Sequence, residues 1–255
     1  MAVMKVRALF EEELARRGVR FSVDPESDGY VIEEGGSRSL VHLDNLERSV
    51  ASDGDAGRVP RFVDAILSSS GASDDPISAG GLYWCLEPND YEVPAEIRFP
   101  ISDRVDRVLV HLSPDDKRIT WVSGKMLGTL GMDEAVAGKR AFENLSRALE
   151  EATVESSEID GVHLGFLSTS LPFKAALLLA PNLREVVGGK LGWPLLAVVP
   201  DRDFVYLWGD RHSDFVGRVG RVVVREYNRA PYPISTEVYR VSDEGIRAIG
   251  AFPTT

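Results

Sequence analysis

A single cysteine, Cys85, stands in the whole chain, which excludes an internal disulfide framework and any multi-cysteine metal site. Its setting, Tyr83-Trp84-Cys85-Leu86, is apolar and predicts an inert buried thiol. Histidine is scarce too. His42, His111, His163 and His212 are scattered, without the H-x-H or H-E-x-x-H spacing of a zinc site. His111 lies inside Val108-Leu109-Val110-His111-Leu112, where a partnered strand histidine is expected. No apolar run approaches the ~20 residues a helix needs to span a bilayer. Met1 to Phe10 is too short an apolar run for a signal peptide and passes straight into Glu11-Glu12-Glu13.

Phosphate loops are missing as well. Ser123-Gly124-Lys125-Met126 ends like one, but Ile119 holds the place of its first glycine and Met126 that of its magnesium-binding hydroxyl. Gly188-Gly189-Lys190-Leu191 fails likewise, with Arg184 at the first glycine position. No G-x-G-x-x-G follows a strand pattern, and no G-x-S-x-G elbow occurs. No cofactor is therefore expected.

Positive charge is thin at one end. Residues 1–100 hold 10 Lys+Arg against 19 Asp+Glu, and the remainder 19 against 21, within a net charge of -11. A nucleic-acid binder displaces counterions with a basic stripe on a basic domain, so nucleic acid is a disfavoured partner. What is present is ordinary globular composition, 44% hydrophobic and 27% charged over 255 residues, with ample length for a core.

Periodicity predicts a first helix over about 4–17. Val6, Leu9, Phe10 and Leu14 share one face, Glu12/Arg16 and Glu13/Arg17 pair at i,i+4, and Gly18 is the stop. Strands are expected over 19–23, 30–33 and 39–43, then helical segments from Asp44 and over Pro60 to Leu67. Ser68 to Gly81 is small, polar and rich in breakers and reads as a linker. The expected division is thus a small acidic α+β part, 1–67, a linker, 68–81, and a larger α+β domain, 82–255.

In that larger part, Val105–Leu112 and Arg118–Val122 read as a hairpin. A helix over 133–152 follows, capped by Asp133, with Phe142, Leu145, Leu149 and Ala152 as its buried stripe. Strands are expected over 161–167 and 173–179 (the second equally a buried helical turn), and a helix from Pro181 ends at Gly188-Gly189. Strands arrive in adjacent pairs joined by short turns, which predicts an α+β fold of mostly antiparallel sheet with helices packed on it.

The C-terminal block is written most sharply. Pro194 to Val199 runs apolar into Pro200-Asp201-Arg202-Asp203 and leaves as Phe204-Val205-Tyr206-Leu207-Trp208. Pro200 suits turn position i+1 and Asp201 position i+2. Phe204, Tyr206 and Trp208 share one strand face, Val205 and Leu207 the other, as in a central strand covered on both sides. A helix over 213–229 follows. Arg211, Arg218, Arg221, Arg225 and Arg229 stripe one face, opposite Phe215, Val219, Val222 and Val223. Gly217 and Gly220 each cost about 1 kcal/mol relative to Ala in a helix, so close packing on a neighbour would explain them. Strands near 235–241 and 246–250 close the chain.

Two interpretations of this block stand side by side. Structurally, the turn is a tight hairpin and the stripe a solvated face, or one paired with the acidic first hundred residues. Functionally, the stripe docks an acidic protein surface, an anionic small ligand or an anionic membrane surface. The candidate binding residues are Arg202, Asp203, Arg218, Arg221, Arg225, Arg229, Tyr232 and Ser235. A competing interpretation is a hydrolase-type enzyme, with Arg202 and Asp203 assembled beside His163 or His212.

Several segments, in this order and spacing, resemble the YtpQ-type family of bacterial proteins, a domain of unknown function. They are Tyr30-Val31-Ile32 leading to Leu43-Asp44-Asn45-Leu46, Ile97-Arg98, Ala141-Phe142-Glu143-Asn144-Leu145, Ala197 to Asp203, and Pro233-Ile234-Ser235. The family has Ser or Thr between its Pro and Arg, where this chain has Asp201. The resemblance implies an intracellular, soluble α+β protein and brings no assigned catalytic residue. The expectation is a non-enzymatic cytoplasmic binding or adaptor protein.

Overall fold

The computed structural model describes residues 2–24, 29–34, 37–70, 77–90, 95–114 and 118–254. Contacts divide the chain into two units, Met1–Pro76 with Arg229–Pro231, and Ile77–Asn228 with Tyr232–Thr255.

In the first unit, α1 (Ala2–Arg16) buries Val6, Phe10 and Leu14 at helical spacing. It stops where expected: Gly18 takes φ +70°, and Val19 N–H donates back to Leu14 O. The antiparallel strands β1 (Arg20–Val23), β2 (Tyr30–Glu34) and β3 (Ser37–Val41) form a meander. Helices α2 (Asp44–Asp53) and α3 (Arg58–Ser70) complete the unit. Leu46, Val59, Val63 and Ile66 from these helices join Phe10, Tyr30 and Ile32 in one core, where Phe10 meets Tyr30 edge to face at 5.1 Å.

The charge pairing on α1 keeps the expected Glu13–Arg17 pair and replaces the other. Arg16 turns to Glu13 instead of Glu12, and Arg17 joins it there, at 2.6 and 2.7 Å. A shared acceptor satisfies both forks, and the hydrogen bonds from Arg16 and then Arg17 hold the Glu13 carboxyl down to about 2. Over the segment expected as a linker, α3 runs on through Ser68–Ser70 and Ala79–Gly81 forms a 3₁₀ turn, while 71–76 lie outside the described residues.

The second unit holds two sheets. In the first, β6 (Val105–Leu112) pairs along one edge with β4 (Leu82–Pro88) and along the other with β5 (Arg98–Pro100) and β7 (Ile119–Trp121). A short helix, α4 (Gly124–Thr129), leads to α5 (Glu134–Glu151), whose first turn is capped by Asp133 as expected, Val136 N–H reaching its Oδ1 at 2.8 Å.

The remaining elements are β8 (Thr153–Ile159), β9 (Val162–Ser168), α6 (Leu183–Leu191), β10 (Leu195–Asp201), β11 (Phe204–Gly209), α7 (Val216–Arg229), β12 (Glu237–Ser242) and β13 (Gly245–Ala251). Their strands form a wholly antiparallel sheet in the order β13-β12-β10-β11-β9-β8. The fold is α+β, as the pairwise arrival of strands predicts. No described helix is long and apolar enough to cross a membrane.

Strand β10 reads as an unbroken apolar run because both its faces are covered. Leu195, Ala197 and Val199, with Leu207 and Tyr239, join the core that α5 and α6 share with the first sheet. Leu196 and Val198, with Trp208 and Val238, receive Phe215, Val219 and Val223 from α7 and the turn before it. Residues Lys174–Leu179 form a 3₁₀ helix, the helical option expected for that run. Two boundaries differ from expectation. Helix α6 continues through Gly188-Gly189 to Leu191. Residues Asp210–Phe215 form a 3₁₀ turn interrupted at His212, so α7 starts at Val216 and Arg211 falls off the stripe.

On α5 the buried positions are Ala137, Gly138, Ala141, Asn144, Leu145 and Leu149, while Phe142 and Ala152 are only half-buried. Asn144 is the polar exception, 1% exposed. Its amide donates to the carbonyls of Ala79, Gly80 and Leu82, at 3.0, 3.2 and 2.7 Å, and so ties α5 to the start of β4. Asn144→Ala strips the donor from this junction and should cost about 2 kcal/mol in urea unfolding, the penalty of unmade buried hydrogen bonds. A loss no larger than that of an exposed substitution would mean that water replaces the amide.

Candidate functional site

The β10–β11 connection is a two-residue turn with Arg202 and Asp203 at its tip, since Asp201 pairs with Phe204. Pro200 therefore ends the buried run of β10 and does not occupy turn position i+1, as the sequence suggests. The turn is pinned locally by Asp201, whose Oδ1 accepts Asp203 N–H at 2.7 Å. It is pinned from outside by three backbone hydrogen bonds. Arg202 N–H donates to Tyr232 O at 2.9 Å, Ala175 N–H to Arg202 O at 3.0 Å, and Ile234 N–H to Pro200 O at 3.2 Å. The 232–235 segment thus runs alongside the turn, and the Arg202 guanidinium lies 3.8 Å from the centre of the Tyr232 ring.

Arg202 is sunk: its side chain is 15% exposed and its charged neighbours are Glu87 and Asp203. Its Nε lies 3.8 Å from Asp203 Oδ1, too far for a hydrogen bond, and both atoms are buried without one. Burial pushes the Asp203 carboxyl up to about 6, against the pull of Arg202. Cys85 is fully buried beside the same cluster, its Sγ 3.6 Å from Glu87 Oε1, and burial raises the thiol well above its ordinary range. Ser235 is buried too. It joins Ser102 and Tyr239 in donating hydroxyls to Glu237 Oε2, at 3.2, 2.7 and 2.8 Å. Of the turn-side candidates, Arg202 and Ser235 face inward, while Asp203 and Tyr232 are partly exposed.

The arginine stripe has a different character. Val219 and Val223 are buried, Val222 is half-buried, and Arg218, Arg221, Arg225 and Arg229 are exposed. Arg218 bridges Asp160 and Asp214, each at 3.0 Å, and Arg225 meets its neighbour Glu226 at 2.9 Å. Arg221 and Arg229 make no ion pair among the described residues. Arg229 groups with the first unit. A Cβ on Gly220 would fall 2.8 Å from the Phe252 ring, whereas Gly217 has nothing within 4 Å, so close packing explains only the first of these glycines. Tyr206 of β11 feels the charges of Glu226 and Arg225, which places the later half of α7 beside the start of that strand.

The histidines stay apart. His163 is exposed on β9 opposite Glu158, and His212 accepts from Arg211 Nε at 2.9 Å; neither hydrogen-bonds to Arg202 or Asp203 among the described residues. His111 is buried and accepts Ser78 N–H at 3.1 Å. Among the described residues no three His, Cys, Asp or Glu side chains cluster as a metal site.

A cavity of about 750 Å³ is lined by none of the candidates from the sequence. It lies over Trp84, Phe99, Arg107 and Phe142, and strand or helix periodicity reads each of these as ordinary framework.

Two outcomes test the turn. Cys85 should stay unreactive toward an aromatic disulfide reagent in the native protein and react fully once unfolded; rapid native labelling would contradict its burial. Asp203 keeps its proton in the fold up to about pH 6 and loses it near 3.8 when unfolded, so its contribution to stability falls as pH rises through that window. Asp203→Asn should therefore gain in Tm relative to the parent between about pH 4 and about pH 7. A pH-independent Tm difference would refute the assignment.

Comparison with known proteins finds one informative likeness. The chain is similar to the UPF0354 protein lin1649 of Listeria innocua, with 19% identity over 213 residues that cover 81% of this chain and 79% of the relative. No family model and no solved structure matches the chain. The relative's name states no activity, so the likeness supports a bacterial family of unknown function.

Proposed function

We propose that this chain is a non-enzymatic, cytoplasmic binding protein of the YtpQ-type family, and that α7 presents Arg218, Arg221 and Arg225 to an acidic protein surface. The carrying observation is the division of α7 into two faces. Its valines are consumed by the sheet, and its arginines stand outward with Arg221 unpaired among the described residues. The ion pairs of Arg218 and Arg225 are exposed ones, worth about 0–1 kcal/mol, so a partner's carboxylates can replace the internal ones at little cost. A convex helix face suits a protein surface better than a small anion, which needs a concavity. The Arg202–Asp203 turn then acts as the rigid shoulder beside it. The hydrolase-type alternative draws on Asp203 and Arg202, which hydrogen-bond to no histidine among the described residues.

Immobilised polyglutamate should retain the full chain at low salt and release it as salt rises. Arg221→Glu with Arg225→Glu should weaken that retention at least tenfold, while Arg140→Glu, an exposed reversal on α5, leaves it unchanged. Equal loss in both variants would reduce the effect to net charge and sink the proposal.

A further inference from the structure

Arg107 is held in an unusual way. It stands on β6 directly opposite Phe99 of β5, with Trp84 on β4 and Phe142 on α5 closing around it. Its guanidinium carbon lies 5.2, 5.0 and 5.4 Å from the ring centres of Trp84, Phe99 and Phe142. Attraction to ring faces fixes the cation without engaging its N–H groups. Nε is buried with no hydrogen-bond partner, and Arg107 makes no ion pair among the described residues. Nearby carboxylates are already taken by other arginines: Asp106 by Arg98 at 3.2 Å, and Glu143 by Arg140 at 3.1 Å. A partly buried cation with idle donors calls for an acceptor that the described residues do not supply.

The cavity over this arginine has room for a ligand. Its volume, about 750 Å³, falls in the range of small-molecule sites. Gly138 lets the Trp84 indole lie against α5, since a Cβ there would come within 3.0 Å of the ring, and Trp84 Nε1 donates to Gly138 O at 3.0 Å. Both contacts fix the aromatic floor. Lys139 adds a second positive charge at the rim, and Glu134 and Glu143 supply negative ones.

We propose that this cavity binds a small aromatic carboxylate, its ring packed on Phe99 and Phe142 and its carboxylate held by the Arg107 fork. Carboxylate geometry matches a guanidinium two-pronged. A single negative charge suits one arginine with glutamates at the rim, whereas a phosphate dianion would face both of them. This site is independent of the arginine face of α7.

Calorimetric titration of the full chain with 2-naphthoate, 2-naphthyl phosphate and the neutral 2-naphthalenemethanol tests the proposal. The acid should bind one to one, and at least tenfold more tightly than the alcohol or the phosphate. Arg107→Met should erase the preference for acid over alcohol. Lys139→Glu, an exposed change that keeps the proposal testable if Arg107→Met fails to fold, should weaken the acid severalfold and leave the alcohol unaffected. Absence of saturable naphthoate binding, equal affinity for alcohol and acid, or preference for the phosphate would each overturn it. So would an acid preference that survives Arg107→Met, or unchanged naphthoate affinity in Lys139→Glu.

Discussion

The second unit depends on how α5 is fastened to β4. A helix packed on a sheet is held mainly by apolar contact, which is strong but free to slide. Here two directional bonds remove that freedom. Asn144 gathers the carbonyls at the start of β4, and Trp84 reaches back to Gly138, six residues earlier on the helix. Because the two bonds engage different points on both elements, translation and rotation are fixed together. Everything on the outer side of β4, including Phe142 above Arg107, inherits its position from that pair.

The same economy governs the interior charges. Glu237, 6% exposed, would be costly as a lone buried carboxylate. Three hydroxyls from Ser102, Ser235 and Tyr239 converge on one of its oxygens and replace the water it lost. That convergence links the loop before β6 to strand β12, one on each sheet of the unit. It also accounts for the burial of Ser235, a binding candidate in the sequence, whose hydroxyl is turned to Glu237.

How much of this was legible depends on how local each feature is. The β10–β11 hairpin could be read because a strand buried on both faces writes itself as consecutive apolar residues, and its aromatic alternation survives in the fold. Its turn slipped by two positions because Pro200 suits a turn start and a strand end equally; only the pairing of Asp201 with Phe204 decides between them. The α7 stripe was legible from 3.6-residue spacing, apart from Arg211, which the interruption at His212 removes from the helix. The cavity was not legible at all. Its floor comes from residues 84, 99, 107 and 142 on three strands and a helix, and each sits in a pattern that core packing alone would explain.

Arg107 and Arg202 share the same defect, a buried Nε without an acceptor, and their surroundings decide its meaning. Arg202 lies among Glu87 and Asp203, beneath the Tyr232 ring, with its backbone bonded on both sides. Its charge is balanced internally, so the imperfect hydrogen bond is a local strain that the rest of the turn absorbs. Arg107 has aromatic faces where Arg202 has carboxylates, and open volume where Arg202 has a lid. Ring faces attract a cation but offer its N–H groups no oxygen acceptor, so they leave the charge only half answered. An unsatisfied arginine therefore marks scaffold when acids surround it, and marks a receptor when aromatic walls hold it at the floor of a cavity.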